Sequence, residues 1–593
     1  MGIRTVAVYS EADSHSLHVE MADEAVCVVD NILGAIKQTG AQAVHPGYGF
    51  LSENFKFCQV LKDHGVVFIG PPVKAMAEMG DKIESKIIAK AAGVHTIPGF
   101  NGVVRDENHA IEIVAASESQ ASFGDDRLLL EKYVEEPRHI EIQILGDQHG
   151  NTVYLPEREC SIQRRNQKVI EEAPSMAITP ELWKVMGEQA VQLAKKVGYF
   201  SAGTVEFLVD KHKNFYFLEM NTRLQVEHPI TEYVTGIDLV EQMIRVAANQ
   251  KLRIKQSDVK VNGWAFESRV YAEDPKLFLP SIGRLLKYQE PLETGKAEIR
   301  CDSGIKEGSE ISIYYDPLIC KLCTHGPDRK TALDTMNRAL DSYVIRGITH
   351  NIPVLREVLS QKRFKDGKIT TKYLSEEFPG GFDGHQLSEA QIRWLTAVAA
   401  FVYNKQSRKS GHVSSRDEAV CVEISGLENT KIQVLSNEDG SYRIKVGDVE
   451  SNLFVKGEWN ASSPILRLLV DNQPLVAQFH GSPHLGRMII QAWGTVYNIW
   501  VKTALEDTLS QYMPVRSSEA SDRIVLAPMA GQMVSVSVKV GDTVREGAEI
   551  AVIEAMKMQN VLRAPKAGKV TAVNISPGQN VSADEPLIEL EYL

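Results

Sequence analysis

Cysteine is sparse. The 593 residues hold seven, an odd number scattered along the chain, which speaks against a disulfide framework and suits a reducing compartment. The one C-x-x-C, Cys320 with Cys323, has no second pair and starts within the mostly apolar run Leu318–Leu322. It reads as two buried strand cysteines and not as a zinc site. No apolar run reaches the ~18 residues of a membrane span, and no Walker A run is present. Basic residues are in the minority, 65 Lys and Arg against 77 Asp and Glu, for a net charge of −12. Neither a nucleic-acid nor a membrane partner is expected, although a local Arg and Lys cluster for a small anion remains compatible with that balance. The N-terminus, MGIRTVAVYSEAD, lacks the features of a signal or transit peptide and reads as a strand from the middle of a domain.

The length predicts several domains, and four regions separate. Residues 1–113 mix short apolar runs, Arg4–Tyr9 and Val66–Ile69, with helical stretches, as α/β folds do. Residues 114–380 are strand-rich and dense in charge. Residues 381–515 open on one helix with a capping box, Ser388 and Gln391, and an apolar face of Ile392, Leu395, Ala399 and Val402. The charged stretch Lys405–Arg416 reads as a linker or exposed loop. Alternating strands follow, with turns at Asp471-Asn472 and Gly494, and predict a small β-barrel or curled sheet. Residues 516–593 contain a repeat. Ala527-Pro528-Met529-Ala530-Gly531 returns as Ala564-Pro565-Lys566-Ala567-Gly568, and Gly541, Val544 and Ile550 return as Gly578, Val581 and Leu587, all at an offset of 37 residues. Two such halves imply a pseudo-symmetric β-domain, since neither could bury a core alone.

Between the halves lies Glu554-Ala555-Met556-Lys557-Met558, which the symmetry puts at a tight hairpin. A carrier domain needs one lysine amine held out in solvent, and flexible apolar methionines suit repeated transient docking. An ordinary surface lysine is the bland alternative.

Upstream, Val205–Asp210 and Phe215–Met220 read as a strand pair around the turn Lys211–Asn214. If Asp210 faces Phe215, Glu206 faces Glu219. Two opposed carboxylates repel unless a hard divalent cation sits between them, as Mg²⁺ does beside substrate phosphates. Continued as a strand, the chain puts Glu219, Asn221, Arg223, Gln225 and Glu227 on one face. Periodicity alone leaves a small-anion site beside a metal and a merely solvated face equally open.

At these residues the chain resembles the biotin carboxylases of the ATP-grasp superfamily. The resemblance rests on HPGYGFLSEN (His45–Asn54), MGDKIESK (Met79–Lys86), LLLEKYVEEPRHIEIQ (Leu128–Gln143), ERECSIQRRNQKVIEEAP (Glu157–Pro174), EMNTRLQVEHPITE (Glu219–Glu232), SRVYAEDP (Ser268–Pro275) and YYDPLICKL (Tyr314–Leu322). The AMKM run at Lys557 is similar to the biotinylation sequence of biotin carboxyl carrier domains. Together they resemble the alpha subunits of biotin-dependent acyl-CoA carboxylases, and SIQRRNQK, VIRGITHN (Val344–Asn351) and the middle β-region point to the propionyl-CoA branch.

The resemblance implies an ATP-grasp carboxylase, a helix-plus-β-barrel middle domain and a C-terminal biotinyl/lipoyl-like β-sandwich. It implies biotin on Lys557, with ATP and Mg²⁺ (Mn²⁺ as an alternative ion) as the other cofactors. Glu206 and Glu219 would hold the metal with Asn221 nearby. Arg223, Gln225 and Val226 would bind bicarbonate, Glu227 would deprotonate it, and Arg269 would stabilise the enolate of biotin. Lys82, Glu131, Lys132, His139, Gln163 and Lys168 would line the nucleotide and phosphate site. Asn166 stands where many bacterial relatives have His. The implied partners are a carboxyltransferase beta subunit, contacted through 381–515 in a large hetero-oligomer (a dodecamer by resemblance), and a biotin protein ligase. The implied compartment is the mitochondrial matrix in a eukaryote or the cytoplasm in a bacterium. Methylcrotonyl-CoA and acetyl-CoA carboxylase alpha subunits are the alternatives.

Two pieces that the resemblance leads one to expect are wanting. Family members open on a strand and glycine turn reading roughly NRGEIA, and the sequence is expected to begin inside its first domain. They also carry a lid with a Gly-rich loop over the ATP phosphates, whereas here the helix-like Asn108–Val114 runs straight into Ala115-Ala116-Ser117-Glu118. A sequence from which a mobile lid was left out and a genuine deletion are both open, and the first is expected. A genuine deletion predicts loss of ATP-dependent carboxylation and a non-catalytic carrier scaffold.

Overall fold

The alternating apolar runs and helices of the N-terminal region fold into parallel pairs, Val6–Tyr9 with Glu24–Cys27 and Ala43–Val44 with Val67–Phe68. The structure, a computed structural model, describes residues 1–28, 32–49, 51–100, 130–276, 278–291, 298–312, 314–409, 417–425, 427, 430–436, 441–446, 452–484, 486–510, 512–513, 523–545, 547–555, 558–565 and 568–592. Backbone pairing of Gly99–Phe100 with Leu130–Glu131 brings the two flanks of 101–129 side by side. The expected helix at Asn108–Val114 lies outside the described residues.

A nine-stranded sheet forms the centre. Its order is Phe215–Asn221, Ser201–Val209, Arg138–Gly146, Arg158–Arg164, Gln167–Ala173, Trp264–Tyr271, Leu318–Gly326 and Glu298–Ser303, with Thr152–Tyr154 paired off Arg138–Gly146. Strand periodicity explains its two faces. Ile140, Ile142 and Ile144 join Phe207, Phe217, Met186, Ala190 and Leu193 in one apolar core under the helix Pro180–Lys196. His139, Glu141 and Gln143 alternate with those isoleucines and face the other way, buried all the same. The far half of the sheet packs on the helices Arg329–Ser342 and Ile352–Ser360, with Cys320 and Cys323 at most 1% exposed in its strand, as the sequence predicts.

The strand pairing holds at the decisive residues for a different reason from the one assumed. Glu206 does face Glu219, but a bulge follows, and Val209 rather than Asp210 faces Phe215. Asp210 instead accepts the backbone N–H groups of His212 and Asn214 and closes the turn. The strand also stops at Asn221, so residues 222–227 form a loop before the helix His228–Thr235 and do not continue the alternation.

The middle region is a closed eight-stranded barrel. The helix Glu389–Lys409 begins at the expected capping box, Ser388 N–H donating to Gln391 Oε1 at 2.9 Å and Gln391 N–H to Ser388 Oγ at 3.4 Å. Every residue from Leu395 to Tyr403 is buried, and the helix packs on strands around the barrel, Asp417–Ile424, Tyr442–Val446, Asn452–Lys456, Arg487–Ala492 and Thr495–Thr503 among them. The expectation of one apolar face is therefore corrected: a helix enclosed by a barrel is covered all round. The expected loop from Lys405 is corrected too, because the helix runs on to Lys409; residues 410–416 lie outside the described residues. Both predicted turns are left-handed two-residue hairpins, at Asp471 and Asn472 (φ +50° and +60°) and at Trp493 and Gly494 (φ +50° and +79°). Phe401 is fully buried and meets Tyr442 edge-on at 5.3 Å. Phe401→Ala is expected to destabilise the barrel by about 3–5 kcal/mol, read as a fall in its denaturant midpoint.

The barrel is bolted to the preceding α/β region. Arg346 donates to Gln478 Oε1 at 2.7 Å, and fully buried Gln478 donates to the carbonyls of Asp341 and Tyr343 at 3.0 Å each. The C-terminal region is two four-stranded sheets, and the repeat is their symmetry. Gly531–Val536, Thr543–Val544 and Glu549–Ala555 correspond to Gly568–Val573, Asn580–Val581 and Pro586–Tyr592.

Candidate functional site

One cleft of about 880 Å³ gathers Lys82, Glu131, Lys132, His139, Gln163, Asn166, Lys168, Glu206, Glu219, Asn221, Arg223, Gln225, Val226, Glu227 and Arg269. These are all the candidate residues save Lys557. That lysine and Met556 lie outside the described residues; their neighbours Ala555 and Met558 pair directly with each other.

At the centre Lys168 Nζ donates to Glu206 at 2.9 Å, to Glu227 at 2.7 Å and to Glu141. Burial works against its charge, yet the three carboxylates hold its pKa well above the ordinary lysine value. Burial likewise opposes ionisation of Glu227, and Lys168 with Arg269 (3.0 Å) outweighs it, so this carboxyl sits below its usual range. Arg269 is fixed from behind by Glu171 at 2.7 Å, whose own carboxyl burial lifts to about 7. Glu171 faces Glu267 across the strands, and burial followed by Glu171 pushes Glu267 to about 8.

His139 Nε2 lies 2.9 Å from Glu206 and 3.3 Å from Glu141. Burial disfavours the imidazolium, but the two carboxylates prevail and raise it from 6.5 to about 9. A folded value above the unfolded one stabilises the fold fully below pH 6.5, and that contribution disappears as pH rises through about 9. The Tm gap between wild type and His139→Gln is therefore expected to be widest at pH 6 and to close towards pH 10, by calorimetry across that range.

Glu206 and Glu219 oppose each other as a cation site requires. Burial and then Glu206 raise the Glu219 carboxyl, while Lys168 and His139 hold Glu206 below its usual range; two facing carboxylates in the cleft lining are a donor set that fits Mg²⁺. Asn221 is turned otherwise: its Nδ2 donates to Glu206 at 2.7 Å and its Oδ1 accepts from Arg223 at 2.9 Å. Gln225 Nε2 also donates to Glu206, at 2.8 Å, and Gln163 Nε2 donates to the Cys160 carbonyl at 2.8 Å. Lys82 opens the helix Lys82–Ala91, capped by Asp81, and Asn166 (φ +64°) sits in a left-handed hairpin turn that asparagine tolerates. Cys160 is buried with its thiol pKa raised by that burial, an inert filler as the sequence suggests.

Several site residues escape the sequence reading. Lys86, 3% exposed, holds Glu131 at 2.8 Å. Glu53 accepts from Arg223 Nε at 3.2 Å and from the Thr222 N–H at 2.9 Å. Lys321 donates to the Val226 carbonyl at 3.2 Å. Glu141 and Arg158 lie wholly buried beneath the cleft. The alternation His139, Glu141, Gln143 is the one signal that period-2 reading could have used.

Family models match along the chain: "Biotin carboxylase, N-terminal domain" at 1–76, "Carbamoyl-phosphate synthase L chain, ATP binding domain" at 73–255, "Biotin carboxylase C-terminal domain" at 267–376, "Propionyl-coenzyme A carboxylase BT domain" at 395–516 and "Biotin-requiring enzyme" at 524–590. The mitochondrial propionyl-CoA carboxylase alpha chain of Homo sapiens is 50% identical over 648 positions, covering 100% of this chain and 88% of its own length. At least 55 of those positions have no residue of this 593-residue chain opposite them. The alpha chain of Ruegeria pomeroyi is 45% identical over 100% of this chain and 97% of its own. Among solved structures, the biotin carboxylase domain of Hydrogenobacter thermophilus 2-oxoglutarate carboxylase, in complex with MgADP, ADP and bicarbonate, is 44% identical with a TM-score of 0.62, over 65% of this chain and 94% of that one. With matches over its whole length and a site built on the same motifs, the chain belongs to the propionyl-CoA carboxylase alpha-chain family of biotin-dependent carboxylases.

Proposed function

We propose that this chain uses ATP and bicarbonate to carboxylate biotin on Lys557, then delivers carboxybiotin to a carboxyltransferase beta subunit that converts propionyl-CoA to methylmalonyl-CoA. The single cleft that collects every upstream candidate side chain supports this reading most directly. Glu227, kept ionised between two cations, takes the proton of bicarbonate, while Arg223, Gln225 and the backbone of Val226 hold the anion. Arg269 faces the negative charge that develops on the ureido oxygen of biotin. Lys168 neutralises the phosphate being transferred. Lys82, Glu131, Lys132, His139 and Gln163 orient the nucleotide, and Glu206 and Glu219 would hold Mg²⁺, which supplies charge neutralisation at the phosphates. Asn221 supports this pair from the side.

In this reading residues 1–113 and 114–380 make the carboxylase, 381–515 docks the beta subunit and 516–593 is the carrier modified by a biotin protein ligase. The tether raises the effective concentration of biotin at both active sites. The assembly is an alpha–beta hetero-oligomer, a dodecamer, in the mitochondrial matrix or the bacterial cytoplasm. The test is ATP hydrolysis that depends on both bicarbonate and free biotin, followed by assay with the beta subunit on propionyl-, acetyl- and methylcrotonyl-CoA. Hydrolysis indifferent to bicarbonate would overturn the carboxylase reading. A preference for another acyl-CoA would overturn the substrate alone.

A further inference from the structure

Arg158 is wholly buried, does not line the cleft, and has no part in the reaction set out above. We infer that it is a positioning residue: its guanidinium fixes the orientation of the Gln225 amide, so that an N–H and not a carbonyl oxygen is presented to bicarbonate. The inference rests on the proposal that Gln225 helps to hold that anion.

The argument is one of donors and acceptors. Arg158 sends every N–H into a side-chain acceptor: Nε to Glu141 at 3.1 Å, one terminal nitrogen to Gln143 Oε1 at 2.8 Å and Thr231 Oγ1 at 2.9 Å, the other to Thr204 Oγ1 at 3.2 Å and Gln225 Oε1. A guanidinium only donates and a carboxylate only accepts. Gln225 lies between one of each, Arg158 behind it and Glu206 in front, where its Nε2 donates at 2.8 Å. Flipping the amide would set NH₂ against guanidinium and carbonyl oxygen against carboxylate, both unfavourable. The side chain is 1% exposed, so solvent does little to soften that clash. One orientation survives, and it is the one an anion needs.

The same guanidinium ties together the elements around the anion site. Thr204 is on the strand of Glu206, Gln143 and Glu141 are on the strand of His139, and Thr231 is on the helix that follows Glu227. Lysine at this position keeps the charge but is a point donor on a flexible stem and cannot span five acceptors. It leaves Gln225 Oε1 without its partner, so that Glu206 alone orients the amide.

The test is steady-state kinetics of the full chain with free biotin for Arg158→Lys, Gln225→Ala and the double variant, with thermal stability recorded for each. Arg158→Lys is expected to raise the KM for bicarbonate about tenfold or more, the scale of one charge-assisted hydrogen bond, while the KM for ATP stays within about twofold. In the Gln225→Ala background the Arg158→Lys change is expected to add nothing to that KM, because there is no amide left to orient. Additive effects, or a loss confined to kcat that tracks a lowered Tm, would make Arg158 purely structural and overturn the inference. If Gln225→Ala alone leaves the bicarbonate KM unchanged, the anion-site reading fails instead. Should Arg158→Lys not fold, Thr204→Val removes one anchor of the same nitrogen that holds Gln225; a rise of severalfold in the bicarbonate KM is expected, and no rise counts against the inference.

Discussion

Lys557→Arg is expected to abolish capture of the protein by avidin and all acyl-CoA carboxylation by the complex, while leaving ATP hydrolysis driven by free biotin within about twofold of wild type. The reasoning runs from chemistry and symmetry together. Biotin attachment needs a nucleophilic amine, and a guanidinium that stays protonated above pH 12 cannot supply one. The substitution falls between Ala555 and Met558, which pair with each other, while the core of the sandwich lies deeper, on Ile550, Ala551, Ile553, Leu587 and Ile588. A change there removes the attachment amine and leaves those core residues untouched, and the two unfolding temperatures are expected to agree within about a degree. The carboxylase cleft is built wholly upstream of this domain, which is why free biotin serves as the control. A Lys557→Arg protein that still binds avidin, or that still carboxylates an acyl-CoA with the beta subunit, places the carrier function elsewhere.

Legibility in the sequence followed the reach of each physical rule. The repeat at an offset of 37 foretold two matching sheets because symmetry is preserved residue by residue, and the capping box foretold the start of the helix Glu389–Lys409 because it is a local contact. Its amphipathic face was misjudged since amphipathicity presumes one wet side, and a barrel closing around a helix has none. Glu206 opposite Glu219 was found through a register that a bulge makes locally untrue. The row from Glu219 to Glu227 reaches one cleft although the strand ends at Asn221, because the loop beyond it wraps the same edge. What stayed hidden was the buried ionic layer: Glu141, Arg158 and Glu171 look like surface charges in sequence, and only strand pairing sets Glu141 against Arg158 and Lys168, and Glu171 against Arg269.

That layer gives the second large effect its sign. Glu227→Gln is expected to lower kcat by about 10²- to 10⁴-fold, the range for a general base, with a much smaller change in the KM for ATP. Glu227 is the carboxylate in the cleft that touches both Lys168 and Arg269, and those cations keep it ionised, so it is competent at neutral pH without activation. The amide keeps the shape and one acceptor but cannot take a proton. Folding survives because each cation retains other partners, Lys168 with Glu141 and Glu206 and Arg269 with Glu171; a destabilisation of about 1–3 kcal/mol is expected from the weakened network. Since its carboxyl lies below the usual range, the stability owed to its charge is present above the ordinary pKa of glutamate and is lost as pH falls through the folded value. Wild type and variant should therefore converge in Tm in acid and diverge towards neutrality. Glu171→Gln is the discriminating companion. Its carboxyl, near 7 and outside the cleft lining, braces Arg269 but meets no substrate, so its loss is expected to cost far less in kcat. If the two variants fall equally, the loss traces to the positioning of Arg269 and not to a missing proton acceptor, and the assignment of the base to Glu227 is wrong.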